Sequence, residues 1–447
     1  MTEDKNTYKE AETISDLLQE SPLSLFYNNG DSFFDPKALN VLSLFSGCGG
    51  MDLGFEGQFI CHRKSVGNNT KWIDRKVNDN WVMLKKNRFN TIFANDILKE
   101  AYHTWVKYMQ RFGKTEDTYH FGSVVDMVKL HKEGQNVFPS NVDVVLGGFP
   151  CQDFSVAGKR KGFLSDMSHD GHKKESDEPS EETRGKLYYW MKQVIEITRP
   201  KLFVAENVKG LVSLGDVKDI IQKDFENTGN GYHVFSPQVL HAGNYGVPES
   251  RERVIFIGVR RDALNETARK ILESGSIPAE YDPYPLPTHN CTAHYDHLPA
   301  PVTCRDVLEE IPEPEDSHDL SQQCYSKAKY MGKHCQGQNE INYDGLGPTI
   351  RSEHHGNIEY RRLSSEHGGE RTEELNQGLK ERRLTPRECA MIQTFPPDYA
   401  FVQYKGYTKR FQVSSSGAYK VIGNAVPPML AYNIAKRLEE IWSLYFD

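Results

Sequence analysis

Short apolar runs that end in glycine or a carboxylate recur from residue 39 onward, and segments of helical period separate them. Val41-Leu42-Ser43-Leu44-Phe45, Thr91-Ile92-Phe93-Ala94, residues 142–146, Leu202-Phe203-Val204-Ala205 and residues 254–259 read as strands. Residues 51–55, 98–112 and 187–197 read as helices, the last stopping before Pro200. Strands that alternate with helices predict an α/β chain whose parallel sheet is covered on both faces. In such a sheet the chemistry gathers at the carboxyl ends of the strands.

The pattern fades at both edges of this region. Residues 1–38 form a polar extension with one short helical stretch, Ala11 to Glu20. The sheet pattern occupies 39–261. Residues 262–380 are rich in Pro, His, Asn, Gly and charge, which suggests a second, smaller, loop-rich lobe. Residues 381–447 return to the first lobe: Thr385-Pro386-Arg387-Glu388 is a capping box with proline at the first helical position, and residues 429–445 are amphipathic. Residues 165–183 are a polar insertion.

Charge narrows the function classes. The net charge of -8 excludes a wholly basic nucleic-acid binder, yet much of the acid lies between Asp166 and Glu182. Basic residues gather elsewhere: Lys159-Arg160-Lys161; Arg251, Arg253, Arg260 and Arg261; Arg361 and Arg362; Arg382 and Arg383. Binding DNA needs one local basic face, not a basic protein. No run approaches the ~18 apolar residues of a membrane helix, and the polar N-terminus is no secretory signal, so a cytoplasmic protein is expected. The eight cysteines include no C-x-x-C pair. The cluster His289, Cys291, His294, His297 and Cys304 fits no zinc spacing and reads as a polar loop, so no metal is assigned.

Two loops carry the chemistry. Phe45-Ser46-Gly47-Cys48-Gly49-Gly50 joins a strand to a helix, and its glycines admit a ligand close to the backbone. Asp96, beyond the next strand, is placed to grip ribose hydroxyls. Gly147-Gly148-Phe149-Pro150-Cys151-Gln152 puts a cysteine, a candidate thiolate nucleophile, just past a strand end. The following strand ends Ala205-Glu206-Asn207-Val208, and Arg251-Glu252-Arg253 precedes another. A thiol, a carboxylate and two guanidiniums are thus expected to converge on one pocket.

These blocks, FSGCGG, GGFPCQDFS, ENVKGL, ESRERV, RRLTPRECAMIQTFP and GNAVPP, fall in one order across 41–260 and 382–440. In that order and spacing the chain resembles the DNA (cytosine-5) methyltransferases of prokaryotic restriction-modification systems. The resemblance implies a Rossmann-like S-adenosylmethionine-dependent methyltransferase sheet with a smaller DNA-recognition lobe. It implies Cys151 as nucleophile, Glu206 engaging ring nitrogen 3, and Arg253, supported by Arg251, holding the base. It assigns Phe45, Gly47, Gly49, Asp96, Ile97, Ser123, Phe149 and Asn424 to S-adenosylmethionine, and Gln152, Ser155, Lys159 and Arg160 to a loop that closes on DNA. A thiolate added to carbon 6 of cytosine makes carbon 5 enamine-like, and a carboxylic acid at nitrogen 3 lets the ring accept the electrons. The reacting carbon is stacked in a duplex, so the base must flip out. Double-stranded DNA is the implied partner, the enzyme acting as a monomer beside a separately encoded restriction endonuclease.

Three departures stand out. Glu249 replaces the family's glutamine, Gly122-Ser123 replaces glycine-aspartate (with Asp126 nearby), and residues 165–183 lengthen the catalytic loop. Arg351, His354, His355, Asn357, Arg361 and Arg362 are the segment expected to contact bases and phosphates. Three rivals are a transfer-RNA cytosine methyltransferase, a silent DNA-binding protein and a nicotinamide-dependent oxidoreductase. Gln152 after Pro-Cys with the long recognition region, the intact Cys151, Glu206 and Arg253, and the G-x-G-G loop respectively disfavour them.

Overall fold

The computed structural model describes residues 38–150, 187–291, 295–352 and 357–446. The stretch Ala11–Glu20, Cys151, Gln152, Ser155, Lys159, Arg160, the 165–183 insertion, His294, His354 and His355 lie outside the described residues.

In chain order the strands are β1 (Leu39–Leu44), β2 (Ile60–His62), β3 (Ile73–Lys76), β4 (Trp81–Leu84), β5 (Phe89–Asp96), β6 (Tyr119–Phe121), β7 (Val144–Gly148), β8 (Leu202–Val208), β9 (Tyr232–Val234), β10 (Gln238–His241), β11 (Glu252–Arg260), β12 (Tyr360–Arg362), β13 (Arg382–Arg383), β14 (Gln403–Tyr404) and β15 (Phe411–Val413). The longer helices are α1 (Gly50–Glu56), α2 (Lys99–Met109), α3 (Val124–Lys132), α4 (Leu187–Thr198), α5 (Val217–Glu226), α6 (Glu266–Glu273), α7 (Pro386–Ile392), α8 (Ser415–Asn424) and α9 (Pro428–Tyr445).

The main sheet runs β10-β11-β8-β7-β1-β5-β6, with β9 also on β11. From β8 to β6 every pairing is parallel. The parallel sheet expected from the sequence is thus present, and at its other edge β11 runs antiparallel to β8, β10 and β9. For the β10–β11 pair the connection explains it: residues 242–251 are too few for the crossover a parallel pairing needs. A separate antiparallel sheet, β2-β4-β3, has no forecast in the sequence pattern.

Burial follows the two-residue period of a strand. Val41, Val144, Leu146, Val204, Ile255 and Ile257 enter one core with Leu53 and Phe55 of α1, Trp105 of α2 and Leu430 of α9. Their neighbours Leu42, Val145, Phe203, Ala205, Val254 and Phe256 enter a second core with Val125 of α3, Met191 of α4 and Phe225 of α5. Helices therefore cover both faces, which leaves the strand ends as the place where ligands enter. Residues 262–380 hold α6, short helices and β12. Their apolar side chains, among them Val307, Ile341 and Ile350, join the first core cluster.

The capping box forms: Thr385 Oγ1 accepts from the Glu388 N–H at 3.0 Å, and the Thr385 N–H donates to Glu388 Oε2 at 2.9 Å. Arg361 and Arg362, expected on a DNA-facing segment, are instead buried. Arg362 pairs with Glu313 at 2.5 Å and Glu374 at 2.6 Å, and Arg382 pairs with Glu313 and Glu388, each at 2.8 Å. Arg383 donates to the carbonyls of Gly337 and Ile358. These arginines hold the loop-rich stretch together and add nothing to a basic face. Of the His/Cys cluster, His289 spends both ring nitrogens, one on Thr288 Oγ1 and one on the Lys64 carbonyl, each at 2.9 Å.

Candidate active site

A cavity of about 900 Å³ opens at the carboxyl ends of β1, β5, β7 and β8. Its lining includes Phe45, Gly47, Asp96, Ile97, Ser123, Phe149, Glu206, Arg253 and Asn424, nine of the residues singled out from sequence, together with Pro150. Gly49 and Arg251 do not line it.

One end is built by the glycine loop. Phe45 takes a left-handed backbone, φ 53°, a strained state for a non-glycine residue and a common mark of functional sites. Gly49 caps α1 at φ 82°, and a side chain there would collide with Trp105. Its role is to let the loop turn. Asp96 Oδ2 accepts from the Gly47 N–H at 3.0 Å and Oδ1 from the Leu98 N–H at 2.9 Å. Each oxygen keeps capacity for another donor, which suits a diol. Burial pushes this carboxyl above its ordinary range against those two bonds. Ser123 caps α3, its Oγ accepting from the Val125 N–H at 3.2 Å, so the hydroxyl that replaces the family's carboxylate also serves the helix.

Under this loop lies a buried network. Ser43 Oγ donates to Asp52 Oδ1 at 2.5 Å, and Trp105 Nε1 donates to Asp52 Oδ2 at 2.6 Å. Burial raises the Asp52 carboxyl to about 6, helped by Glu56 and opposed by Ser43, Trp105 and Lys114. A carboxyl raised on folding lends stability below its unfolded value near 3.8 and loses it as pH climbs through about 6. Asp52→Asn keeps both contacts, since the amide oxygen can accept from Trp105 while the amide nitrogen donates to Ser43. The variant is expected to be more stable than the parent at pH 7.5 by about 1–3 kcal/mol, the advantage shrinking toward pH 4. Urea denaturation at both pH values checks this; equal stabilities at pH 7.5 would contradict it.

The other end of the cavity holds the charged groups. Gly148 closes β7 beside Glu206 of β8, and any Cβ on Gly148 would lie 2.9 Å from Glu206 Oε2, so a side chain there would displace that carboxylate. Arg253 Nε meets Glu206 Oε1 at 2.7 Å. Glu206 is buried, and that burial raises its carboxyl although Arg253 and Arg251 pull it down. Asn207 was missed as a site residue. Its amide donates to the Phe149 carbonyl at 3.1 Å, fixing the backbone two residues before Cys151, and it lines the cavity.

Arg251 is wholly buried and works behind the wall. It donates to the carbonyls of Ile350 (3.1 Å), Gly423 (2.9 Å) and Ala425 (2.8 Å). Glu249 Oε1 lies 3.3 Å from it and accepts from the Ile350 N–H at 2.7 Å. Glu249 thus supplies the acceptor that a glutamine would, while Oε2 has no hydrogen-bond partner among the described residues. Burial raises the Glu249 carboxyl and lowers Arg251 to about 10. The pair holds Ile350, which with Thr349, Arg351 and Ser352 forms a wall of the cavity from outside the sheet. Arg251→Leu strands three carbonyls and a carboxylate, and is expected to cost about 3–5 kcal/mol in urea denaturation. Lysine should rescue only part of this, because one ammonium cannot span four acceptors; full rescue would count against the clamp.

Among the described residues, no helix is long and apolar enough to cross a membrane. Arg351 lines the cavity, while Arg361 and Arg362 do not.

Comparison with known proteins gives the family. The family model for C-5 cytosine-specific DNA methylase matches residues 39–440. The chain is 31% identical over 428 residues to type II methyltransferase M.BsuRI of Bacillus subtilis, covering 92% of this chain and 82% of that protein. It is 30% identical to type II methyltransferase M.BspRI of Lysinibacillus sphaericus, covering 94% and 85%. Among solved structures, the S. pombe Dnmt2 methyltransferase aligns with a TM-score of 0.50 at 15% identity over 90% of this chain and 98% of that one, a likeness of fold alone. With the family match running from the first strand of the sheet into its last helix, the chain belongs to the C-5 cytosine-specific DNA methylases.

Proposed function

We propose that this enzyme moves a methyl group from S-adenosylmethionine to carbon 5 of a cytosine flipped out of duplex DNA, through a covalent adduct on Cys151. The observation that carries the reading is the single cavity that joins the Asp96 end to the Glu206–Arg253 end, with Pro150, the residue before Cys151, in its wall. Its volume suits a nucleoside-sized ligand with a base beside it.

The residues at the first end fit the cofactor. Asp96 would hold the ribose hydroxyls, Ile97 would lie against adenine, Ser123 would face the adenine amine, and Asn424 would close over the rest. When bound, the sulfonium supplies an electrophilic methyl group. At the second end the Cys151 thiolate adds to carbon 6, Glu206 donates to nitrogen 3, and Arg253 holds the exocyclic oxygen. After transfer, loss of the carbon-5 proton and release of the thiolate restore the aromatic ring. Gln152, Ser155, Lys159 and Arg160 belong to the loop that closes on DNA. Residues 39–261 and 381–447 form the catalytic lobe, and 262–380 select the sequence.

The relatives are named type II methyltransferases, which supports a modification enzyme; the proposal includes that it acts as a monomer in the cytoplasm beside a separate restriction endonuclease. Incubation with labelled S-adenosylmethionine and duplex DNA, followed by bisulfite sequencing, is expected to give 5-methylcytosine at one recognition sequence. Label entering transfer RNA while duplex stays bare would overturn the reading.

A further inference from the structure

An acid-free stretch near the end of the chain carries a second charged surface. No Asp or Glu occurs from 399 through 438, in a chain with 62 acidic residues. Within that stretch β14 and β15 form a two-stranded hairpin of their own, with Gln403 opposite Val413 and Tyr404 opposite Phe411. Its turn is closed by the Lys405 N–H donating to the Arg410 carbonyl at 2.8 Å.

The hairpin is anchored at its base and bare at its tip. Gln412 Nε2 meets His103 Nδ1 of α2 at 2.7 Å, and Val413 is buried. Ser414, the next residue, caps α8 and lines the cavity. Beyond the base, Lys405, Lys409 and Arg410 are exposed, and none has a carboxylate partner among the described residues. Tyr404 and Phe411 are 38% and 46% exposed and stack at 5.0 Å between ring centroids, while Tyr407 is fully exposed. A lone two-stranded hairpin is marginal in water. Three exposed cations, the fully exposed Tyr407 ring and the outer parts of the Tyr404–Phe411 stack face solvent together, a surface suited to a partner.

We propose that this hairpin is a secondary DNA-docking surface that grips phosphates flanking the target site. The inference rests on the reading that duplex DNA is the substrate. Unpaired exposed cations on a protein of net charge -8 are complementary to a polyanion, and phosphate contacts by Lys and Arg supply the sequence-independent part of DNA affinity. Tyrosine adds a ring with a polar tip, suited to sugar and phosphate edges. Three strand residues reach roughly 10 Å, against about 34 Å for one turn of duplex. Phosphates within a turn of the target are therefore in range of a hairpin rooted at the cavity rim.

The test compares the full chain with a Lys405→Ala/Lys409→Ala/Arg410→Ala variant and with Lys405→Arg/Lys409→Arg. Duplex affinity is measured by fluorescence anisotropy between about 50 and about 200 mM salt, the range over which phosphate contacts register most strongly. Each lost contact should flatten the plot of log K against log salt by about 0.9, so the alanine variant should lose about 2–3 units of slope. Its KM for DNA should rise about tenfold or more at low salt with kcat unchanged, and the arginine variant should match the parent. An alanine variant that keeps parental slope and KM overturns the proposal, as does one whose kcat falls while its affinity holds. If the parent itself neither binds nor methylates duplex, the proposed function fails instead, and the two failures are told apart.

Discussion

Replacing Cys151 with serine is expected to lower methyl transfer to duplex DNA by roughly 10⁴-fold or more, while DNA affinity stays close to parental. The argument begins at β7. Its last residue, Gly148, pairs in register with Glu206, and the carbonyl of Phe149 is held by Asn207. Those two contacts hold the end of β7 beside Glu206, and Pro150, the residue before Cys151 in sequence, lines the same cavity as Glu206 and Arg253. A serine hydroxyl at that point ionises too weakly to add to carbon 6 of a pyrimidine, whereas a thiol supplies some thiolate at neutral pH. Single-turnover transfer of a labelled methyl group gives the rate. Duplex carrying 5-fluorocytosine should trap parental enzyme in a denaturant-stable complex, because fluorine cannot leave as a proton does. The serine variant should form none. A rate near parental would remove Cys151 from the chemistry.

Truncating Glu206 to alanine is expected to slow turnover by roughly 10²-fold or more, the usual scale for a lost general acid. In the proposed mechanism Glu206 carries the proton that it donates to nitrogen 3, and burial raises its carboxyl against the pull of Arg253 and Arg251. The sign follows: the active acid form dominates below the raised value, so kcat should decline as pH rises through it. Glu206→Gln can still donate a hydrogen bond but cannot titrate. It should recover part of the rate and lose that alkaline decline. Unchanged turnover in the alanine variant, or an unaltered pH profile in the glutamine variant, would take Glu206 out of the mechanism.

What could be read from sequence was local. Glycine loops after strands, the carboxylate of Asp96 and the capping box at Thr385 depend on residues a few positions apart, and strand period sets which side chains reach each core. What escaped depends on partners far along the chain. Arg251 reaches carbonyls 99, 172 and 174 residues away. Arg362 meets Glu313 across 49 residues, so a charge that reads as a DNA contact is an internal strut. Asn207 stands beside a recognised glutamate, yet its bond to Phe149 spans 58 residues. The antiparallel β10–β11 pair has a local signal, the short 242–251 link between the two strands.

The bonds from Glu249 and Arg251 to Ile350 also constrain anyone who would transplant specificity. A graft of foreign residues 262–380 would seat a stranger's backbone on Glu249 and Arg251, which here bond to Ile350. Splice points chosen on either side of Thr349–Ser352, leaving those four residues native, would spare the host its clamp and let the exchanged loops be judged for selectivity alone.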